Sequence, residues 1–261
     1  MAADPRAVLS RPAPAPDATV RYGDHPDQIV DLRRPRGAQP RPLVVVMHGG
    51  FWRAEYDRTH TGPLAAHLAT HGYPVAQLEY RRTGQPGGGW PGTFDDIITA
   101  MSALPALAAA ALPDLDPALV DPPILLGHSA GGHLALWCAG TVPTRGVLAL
   151  APVADLVEAY RLDLDEGAVG ALLGGGPEAV PERYARADPA HRVPPPTRIV
   201  IVHGVLDRQV PVEMSRGYVA AARAAGADVT LVELPETEHF ALIDPWSPAW
   251  PRVVDGLHSL R

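Results

Sequence analysis

The strongest chemical signal in the sequence is Gly127-His128-Ser129-Ala130-Gly131, a G-x-S-x-G element. The residues PPILL before it predict a buried strand, and HLALWCAG after it predicts a helix. A sharp turn from strand to helix lifts a serine Oγ above the sheet, and flanking glycines leave room for the strained backbone. The element therefore predicts Ser129 as a nucleophile, the alternative being an ordinary glycine-rich turn.

A second element, HGGFW at residues 48–52, directly follows the apolar run LVVVM. Two glycines after a buried strand allow backbone N–H groups to turn toward a ligand. Such groups can stabilise the negative charge that develops on oxygen during acyl transfer. The element therefore predicts an oxyanion hole, the alternative being a strand-ending turn closed by an aromatic plug.

A serine nucleophile needs a general base, and that base needs an acid to orient it. Asp207 lies in HGVLD after the predicted strand TRIVIV, and His239 lies in PETEHF after the predicted strand VTLVEL. Both positions follow the carboxyl ends of strands, where open α/β sheets place their sites. The order serine, acid, histidine is the one expected for a nucleophile elbow on such a sheet.

Two groups of residues compete for these roles. Asp155 follows the strand GVLALAPV and is the alternative acid. We favour Asp207 because its loop follows the strand before the one that carries His239. His48 and His203 each precede a glycine at a strand end, and we expect them to make structural hydrogen bonds.

No metal site is predicted. His128 and His133 are five residues apart rather than the four of a helical ligand pair, and no HExxH occurs. The remaining histidines are expected at the surface: His25, His60, His67, His71, His191 and His258.

Short apolar runs alternate with helical patterns along most of the chain. The runs predict strands at 28–32, 43–47, 75–80, 124–127, 146–150, 199–203 and 229–234, the first of them at a sheet edge. The helical patterns lie at about 61–71, 93–111, 130–140, 215–225 and 248–260. This alternation predicts an α/β fold with a mostly parallel central sheet and helices on both faces. We expect one domain over residues 22–261 and a flexible arm, rich in proline and alanine, over residues 1–21.

Two stretches are candidates for the wall of a substrate pocket. The alternation breaks at 155–196, which predicts a helical or loop insertion, and long excursions of this kind are often functional. The run GQPGGGWPG at 84–92 is either a flexible connector or a rim loop that places Trp90 near the acyl pocket. Trp52, Trp90 and His128 are candidates for substrate contact.

Composition narrows the class of protein. There are 22 basic residues, all arginine, and 29 acidic ones, which gives a formal charge of −7. This balance argues against nucleic-acid binding and against a polybasic membrane anchor. A single cysteine, Cys138, excludes an intrachain disulfide and any multi-cysteine metal site.

The cellular location follows from the same kind of argument. The N-terminus lacks the pattern of a signal peptide, and no apolar run approaches the ~18 residues of a spanning helix. We therefore expect a cytoplasmic protein with no membrane partner. The sequence leaves open whether it is a monomer or a homodimer.

Taken together, these motifs resemble the α/β-hydrolase superfamily, in the branch of small esterases related to hormone-sensitive lipase and kynurenine formamidase. HGGFW fits the HGGxW pattern of that branch, GHSAGG fits its elbow, and HGVLDRQVP fits its acid loop. The resemblance spans roughly residues 22–260. It implies a catalytic triad in which Ser129 is the nucleophile, His239 the base and Asp207 the residue that orients the base.

The resemblance also implies an oxyanion hole made by backbone N–H groups near Gly50 and Phe51, together with that of Ala130. It implies a serine hydrolase that cleaves carboxylic esters of small to medium acyl groups through an acyl-enzyme, without a cofactor. An arylformamidase that hydrolyses N-formylkynurenine is the alternative, and acyl transfer to an acceptor other than water is also open. A non-catalytic binding protein on the same fold is disfavoured because all three triad residues are present.

Overall fold

The computed structural model describes residues 4–37, 39, 41–192 and 196–260. Within these residues, eight strands form one sheet in the order β1-β2-β4-β3-β5-β6-β7-β8. Their bounds are β1 Ala18–Arg21, β2 Ile29–Arg33, β3 Val44–Met47, β4 Val75–Leu78, β5 Ile124–His128, β6 Gly146–Leu150, β7 Arg198–Gly204 and β8 Val229–Leu234. From β4 to β8 all neighbours pair in parallel, and β2 is antiparallel to both β1 and β4. The mostly parallel sheet predicted from the sequence is confirmed.

The sheet is covered on both faces, which explains the continuous apolar runs of its central strands. Successive residues of β3 point to opposite sides, so Val44 and Val46 join one hydrophobic cluster while Val45 and Met47 join the other. Nine helices lie in the described part of the chain: α1 Gly62–Thr70, α2 Gly92–Ala111, α3 Pro117–Val120, α4 Ala130–Ala139, α5 Leu156–Arg161, α6 Ala168–Leu173, α7 Pro181–Ala187, α8 Val212–Ala224 and α9 Trp250–His258.

The helices divide between the two faces as the alternating pattern requires. Buried residues of α1 and α9 belong to one cluster, and those of α2, α4 and α8 belong to the other. Helices α5, α6 and α7 occupy the predicted insertion at 155–196, of which residues 193–195 lie outside the described residues.

Helix α2 corrects one expectation about the sequence. It has the length and apolar composition to cross a membrane, although no run of that kind was expected. In the structure, Phe94 and Ile97 are buried against the sheet. The carboxylate of Asp96, also buried, accepts hydrogen bonds from the guanidinium of Arg81 at 2.9 and 2.6 Å. The helix is therefore a packed element of the core in this fold.

The N-terminal segment differs from the flexible arm that was expected over residues 1–21. Pro5–Ser10 form a 3-10 helix, and β1 pairs with β2, so β2 is not the edge strand. Val8 is buried, and the Arg11 side chain forms an ion pair with Asp244. The proline- and alanine-rich composition of this segment gave no indication that these few residues anchor it. Residues 1–3 of the expected arm lie outside the described residues.

Candidate active site

Ser129 occupies a strained turn between β5 and α4. Its backbone has φ 57° and ψ −119°, a conformation that residues other than glycine rarely adopt. The flanking glycines are required by close packing: a Cβ atom on Gly131 would lie 2.1 Å from the backbone oxygen of Met47, and one on Gly127 would lie 2.1 Å from that of Gly131. The G-x-S-x-G spacing therefore forms the elbow predicted for it.

His239 and Asp207 form a buried hydrogen-bonded pair. The Nδ1 atom of His239 donates to Oδ2 of Asp207 at 2.6 Å. The other carboxylate oxygen accepts from the backbone N–H groups of Gln209 and Val210, at 2.8 and 2.9 Å. Because Nδ1 carries the proton, Nε2 of His239 has the lone pair that a general base needs.

Hydrogen bonds from two histidines keep the Asp207 carboxylate ionised. Burial by itself raises the pKa of this carboxyl, but hydrogen bonds from His203 and His239 outweigh burial and hold the pKa well below its usual range. His203 also makes hydrogen bonds with the Ser215 hydroxyl at 2.7 Å and with the Val210 backbone oxygen at 2.9 Å. His203 is thus a structural residue of the acid loop, as expected.

The alternative acid lies elsewhere. The Oδ1 atom of Asp155 accepts from the backbone N–H of Glu158 at 2.8 Å and caps the start of α5. The structure brings Asp207, and not Asp155, to the imidazole of His239.

Ser129 and His239 line one cleft, together with Gly50 and Phe51 of the HGGFW element. Its other walls come from distant parts of the chain: Arg6, Leu9, Tyr56, His60, His128, Asp165, Gln209 and Phe240. The cleft therefore holds both reactive groups of the predicted triad.

The HGGFW element forms a tight left-handed loop beside the nucleophile. Gly50, Phe51 and Trp52 have φ values of 104°, 48° and 58°. A Cβ atom on Gly49 would lie 3.1 Å from the Cβ atom of Ser129, so the loop backbone runs against the elbow. Ala130 is the first residue of α4, where the backbone N–H has no acceptor within the helix. The predicted donors are thus near Ser129.

A buried glutamate that the sequence did not single out supports this loop. The Glu79 carboxylate accepts from His48 Nε2 at 2.9 Å and from the Arg58 backbone N–H at 2.9 Å, and the Arg82 guanidinium lies 3.4 Å away. Burial by itself raises the pKa of Glu79, but His48 and Arg82 lower it to about 2. The sequence feature that could have identified Glu79 is the presence of an acidic residue inside the apolar strand pattern VAQLEY.

His60 corrects the expectation of a surface residue. Its side chain is buried and lines the cleft, because the 3-10 helix Arg58–Thr61 turns it inward. Burial, and to a smaller extent the nearby His48, lower the pKa of His60 to about 4.

Two of the three residues predicted to contact substrate do not line the cleft. Trp52 is fully buried with its ring 5.2 Å from that of His133, so it belongs to the core. Trp90 donates its backbone N–H to the Leu172 oxygen at 2.7 Å, which holds residues 84–92 against α6 instead of at the cleft. His128 does line the cleft, as predicted.

The pocket wall also differs from the one expected. Of the described residues in the insertion at 155–196, Asp165 alone lines the cleft that contains Ser129, and none of the 84–92 loop does. Arg6 and Leu9 of the N-terminal 3-10 helix take that place. Such contacts join residues far apart in sequence, so local patterns did not indicate them.

The chain is similar in sequence to curated proteins that are named as esterases. It is 28% identical to Esterase LipC of Mycobacterium tuberculosis over 86% of this chain and 60% of that protein. It is 26% identical to a probable isoprenylcysteine alpha-carbonyl methylesterase of Oryza sativa subsp. japonica, over 93% of this chain and 63% of that protein. The chain spans 54–63% of the length of the curated relatives it matches.

Solved structures share the fold. A truncated carbohydrate esterase from gut microbiota superposes with a TM-score of 0.74 at 19% identity, over 95% of this chain and 99% of that one. The propionate-bound esterase Est2 of Thermogutta terrifontis gives 0.67 at 22% identity, over 93% and 92%. The fold is thus that of the α/β-hydrolases. The sequence model of the BD-FAE family matches residues 30–221, most of the chain. From this match and this fold it follows that the chain belongs to the BD-FAE family of α/β-hydrolases.

Proposed function

We propose that this protein is a serine hydrolase that cleaves carboxylic esters of small to medium acyl groups. The observation that carries the proposal is the His239–Asp207 hydrogen bond beside Ser129, with the serine in an elbow that opens into the same cleft. The curated relatives named as esterases support an ester substrate over a formamide.

The reaction follows from the positions of these groups. Ser129 Oγ attacks the ester carbonyl while Nε2 of His239 accepts the hydroxyl proton. Asp207 holds the imidazole in the required tautomer and stabilises its positive charge. The tetrahedral intermediate collapses, and the leaving alkoxide takes the proton from His239. Water, activated by the same imidazole, then releases the acid from Ser129.

The backbone around the nucleophile supplies the oxyanion hole in this proposal. The N–H groups near Gly50 and Phe51 are carried by a left-handed loop against the elbow, and that of Ala130 opens α4. Charge that develops on the carbonyl oxygen would accept hydrogen bonds from these donors, each worth about 3 kcal/mol in related sites. The helix dipole of α4 acts in the same direction.

The test compares wild-type protein with Ser129→Ala on p-nitrophenyl acetate and p-nitrophenyl butyrate. We expect Ser129→Ala to lose at least about a thousandfold in kcat and to resist labelling by a fluorophosphonate. Ser102→Ala is the matched control, because Ser102 is exposed on α2 and its hydroxyl donates to its own helix. Wild-type turnover by Ser129→Ala, or failure of the wild-type serine to label, would overturn the proposal.

A further inference from the structure

A recess next to the catalytic histidine is bordered by two arginines. Arg6, from the N-terminal 3-10 helix, and Arg208, from the acid loop, both line it. His239 and Phe240 also line the recess, and Arg6 lines the adjoining cleft that contains Ser129 as well. The recess is thus continuous with the site of reaction on the side of the imidazole.

Neither guanidinium has a hydrogen-bond or ion-pair partner in the part of the chain that the structure describes. Most arginines there form ion pairs or donate to oxygens; those that do neither are Arg6, Arg186, Arg208 and Arg252. Arg6 lies 5.8 Å from the centre of the Phe240 ring, a contact that leaves its N–H donors unused. Two of these four unpaired cations therefore meet at one recess, in a protein with a formal charge of −7.

The carboxylates around the recess and the cleft are already engaged. Asp165 pairs with Arg53 at 2.5 Å. The two oxygens of Glu238 accept from the backbone N–H groups of Phe240 and Ala241, at 3.0 and 2.7 Å. Among the described residues, none of these carboxylates hydrogen-bonds to Arg6 or Arg208, so the N–H donors of both guanidinium groups can bind a ligand.

We propose that Arg6 and Arg208 form a subsite for a carboxylate on the leaving-group part of the ester substrate. The inference rests on the proposed ester hydrolysis and deepens it. His239 must deliver a proton to the leaving oxygen, so the leaving group lies over the imidazole and extends into the recess beside it. Guanidinium groups match the geometry of a carboxylate, which can accept two hydrogen bonds from one arginine. The Gln209 side chain, on the same rim, adds an amide donor.

The experiment uses two acetate esters that differ in charge and little in shape. 4-Acetoxybenzoate carries a carboxylate on its leaving group, and 4-acetoxybenzamide carries a neutral amide in its place. The readout is the ratio of kcat/KM for the first ester over the second. Measuring a ratio removes general effects of a substitution on the reaction.

We expect Arg6→Gln and Arg208→Gln each to lower this ratio about two- to fivefold, the range for a solvent-exposed charge pair, and the double variant to lower it further. The ratio should also fall as NaCl is raised, because salt screens exposed charges. Arg252→Gln is the matched control, since Arg252 is unpaired on α9, away from the recess, and it should leave the ratio as in wild type. Equal ratios in all variants would overturn the inference.

Two further measurements distinguish a failure of the proposed subsite from a failure of the proposed ester hydrolysis. Mono-4-nitrophenyl succinate carries its carboxylate on the acyl part; if the variants impair this ester and not 4-acetoxybenzoate, the assignment to the leaving group is wrong. Thermal stabilisation of Ser129→Ala by 4-hydroxybenzoate but not by 4-hydroxybenzamide reports the subsite without turnover. Loss of that difference in Arg208→Gln supports the subsite even if ester hydrolysis fails, and its absence in the parent contradicts the subsite alone.

Discussion

The Nε2 atom of His128 lies 3.1 Å from the backbone carbonyl oxygen of His239, and the two rings are 4.4 Å apart. The residue before the proposed nucleophile thus holds the backbone of the proposed base. Because a carbonyl oxygen only accepts, Nε2 carries the proton. Burial, aided by the neighbouring His239, lowers the pKa of His128 well below its usual value and keeps the ring neutral.

Replacing His128 should therefore impair the chemical step more than substrate binding. We expect His128→Phe to lower kcat for p-nitrophenyl butyrate about five- to tenfold, the effect of one lost hydrogen bond on the position of the base, with KM nearly constant. His128→Asn retains an N–H donor and should recover part of the loss. Steady-state kinetics of both variants decide this, and equal losses in kcat would argue against a positioning role.

The acid can be tested against its rival with paired substitutions. Asp207→Asn should lower kcat by about 10⁴, because an amide cannot hold Nδ1–H of His239 in the productive tautomer. Asp155→Asn keeps a side-chain oxygen that can cap α5 and should change kcat less than about threefold. Comparable losses in the two variants would contradict the assignment of Asp207.

Glu79→Gln should lower the free energy of unfolding without changing the proposed nucleophile. It removes the Glu79 carboxylate from beside the buried Arg82 guanidinium, which then keeps, among the described residues, only the carboxylate of Asp27. Loss of one charge from a buried ion pair costs about 3 kcal/mol in comparable sites. Urea unfolding at pH 7 measures this loss. Glu178→Gln is the control, since Glu178 is exposed.

The same pair of variants gives a pH dependence. The pKa of Glu79 is lowered from 4.5 to about 2 in the folded chain, so its stabilising contribution is complete above about pH 4.5 and is lost as the pH falls toward 2. The difference in unfolding free energy between wild type and Glu79→Gln should accordingly shrink on acidification below pH 4.5. A difference that grows instead would contradict the assigned charge of Glu79.

Two buried histidines predict a loss of stability at mildly acidic pH. Burial is the main reason that the pKa values of His60 and His133 fall from 6.5 to about 4. Between these limits the unfolded chain takes up protons that the folded chain does not, so stability is complete above about pH 6.5 and decreases as the pH falls. The slope is at most about 1.4 kcal/mol per pH unit for each residue. His133→Gln should flatten the curve of unfolding free energy between pH 6.5 and 4; parallel curves would refute the contribution of His133.

The sequence predicted the elements that carry the candidate triad because their signals are local. A Cβ atom on Gly127 would collide with the backbone of Gly131 in the same turn, and Asp207 and His239 each follow a strand whose apolar run is visible in the sequence. Parallel strands bring their carboxyl ends to one edge of the sheet. The correct prediction of the strands was therefore enough to predict that these residues lie close together.

The walls of the cleft escaped prediction because they depend on packing between distant segments. Arg6, His60 and Asp165 lie in three different segments and meet in one cleft. Trp90 was a candidate for substrate contact from its position in a glycine-rich loop, but its ring packs 5.0 Å from that of Phe94. Burial of an aromatic side chain against a helix stabilises the fold, and the local sequence pattern does not show that this contact will form.

The N-terminal 3-10 helix contributes to the cleft from a segment of the chain that is separate from the proposed catalytic residues. Arg6 and Leu9 of this helix line the cleft, whereas the proposed catalytic residues Ser129, Asp207 and His239 all follow the HGGFW loop in the chain. We therefore expect that substitutions in this short N-terminal helix change the preference for one ester over another and leave the proposed catalytic residues unchanged.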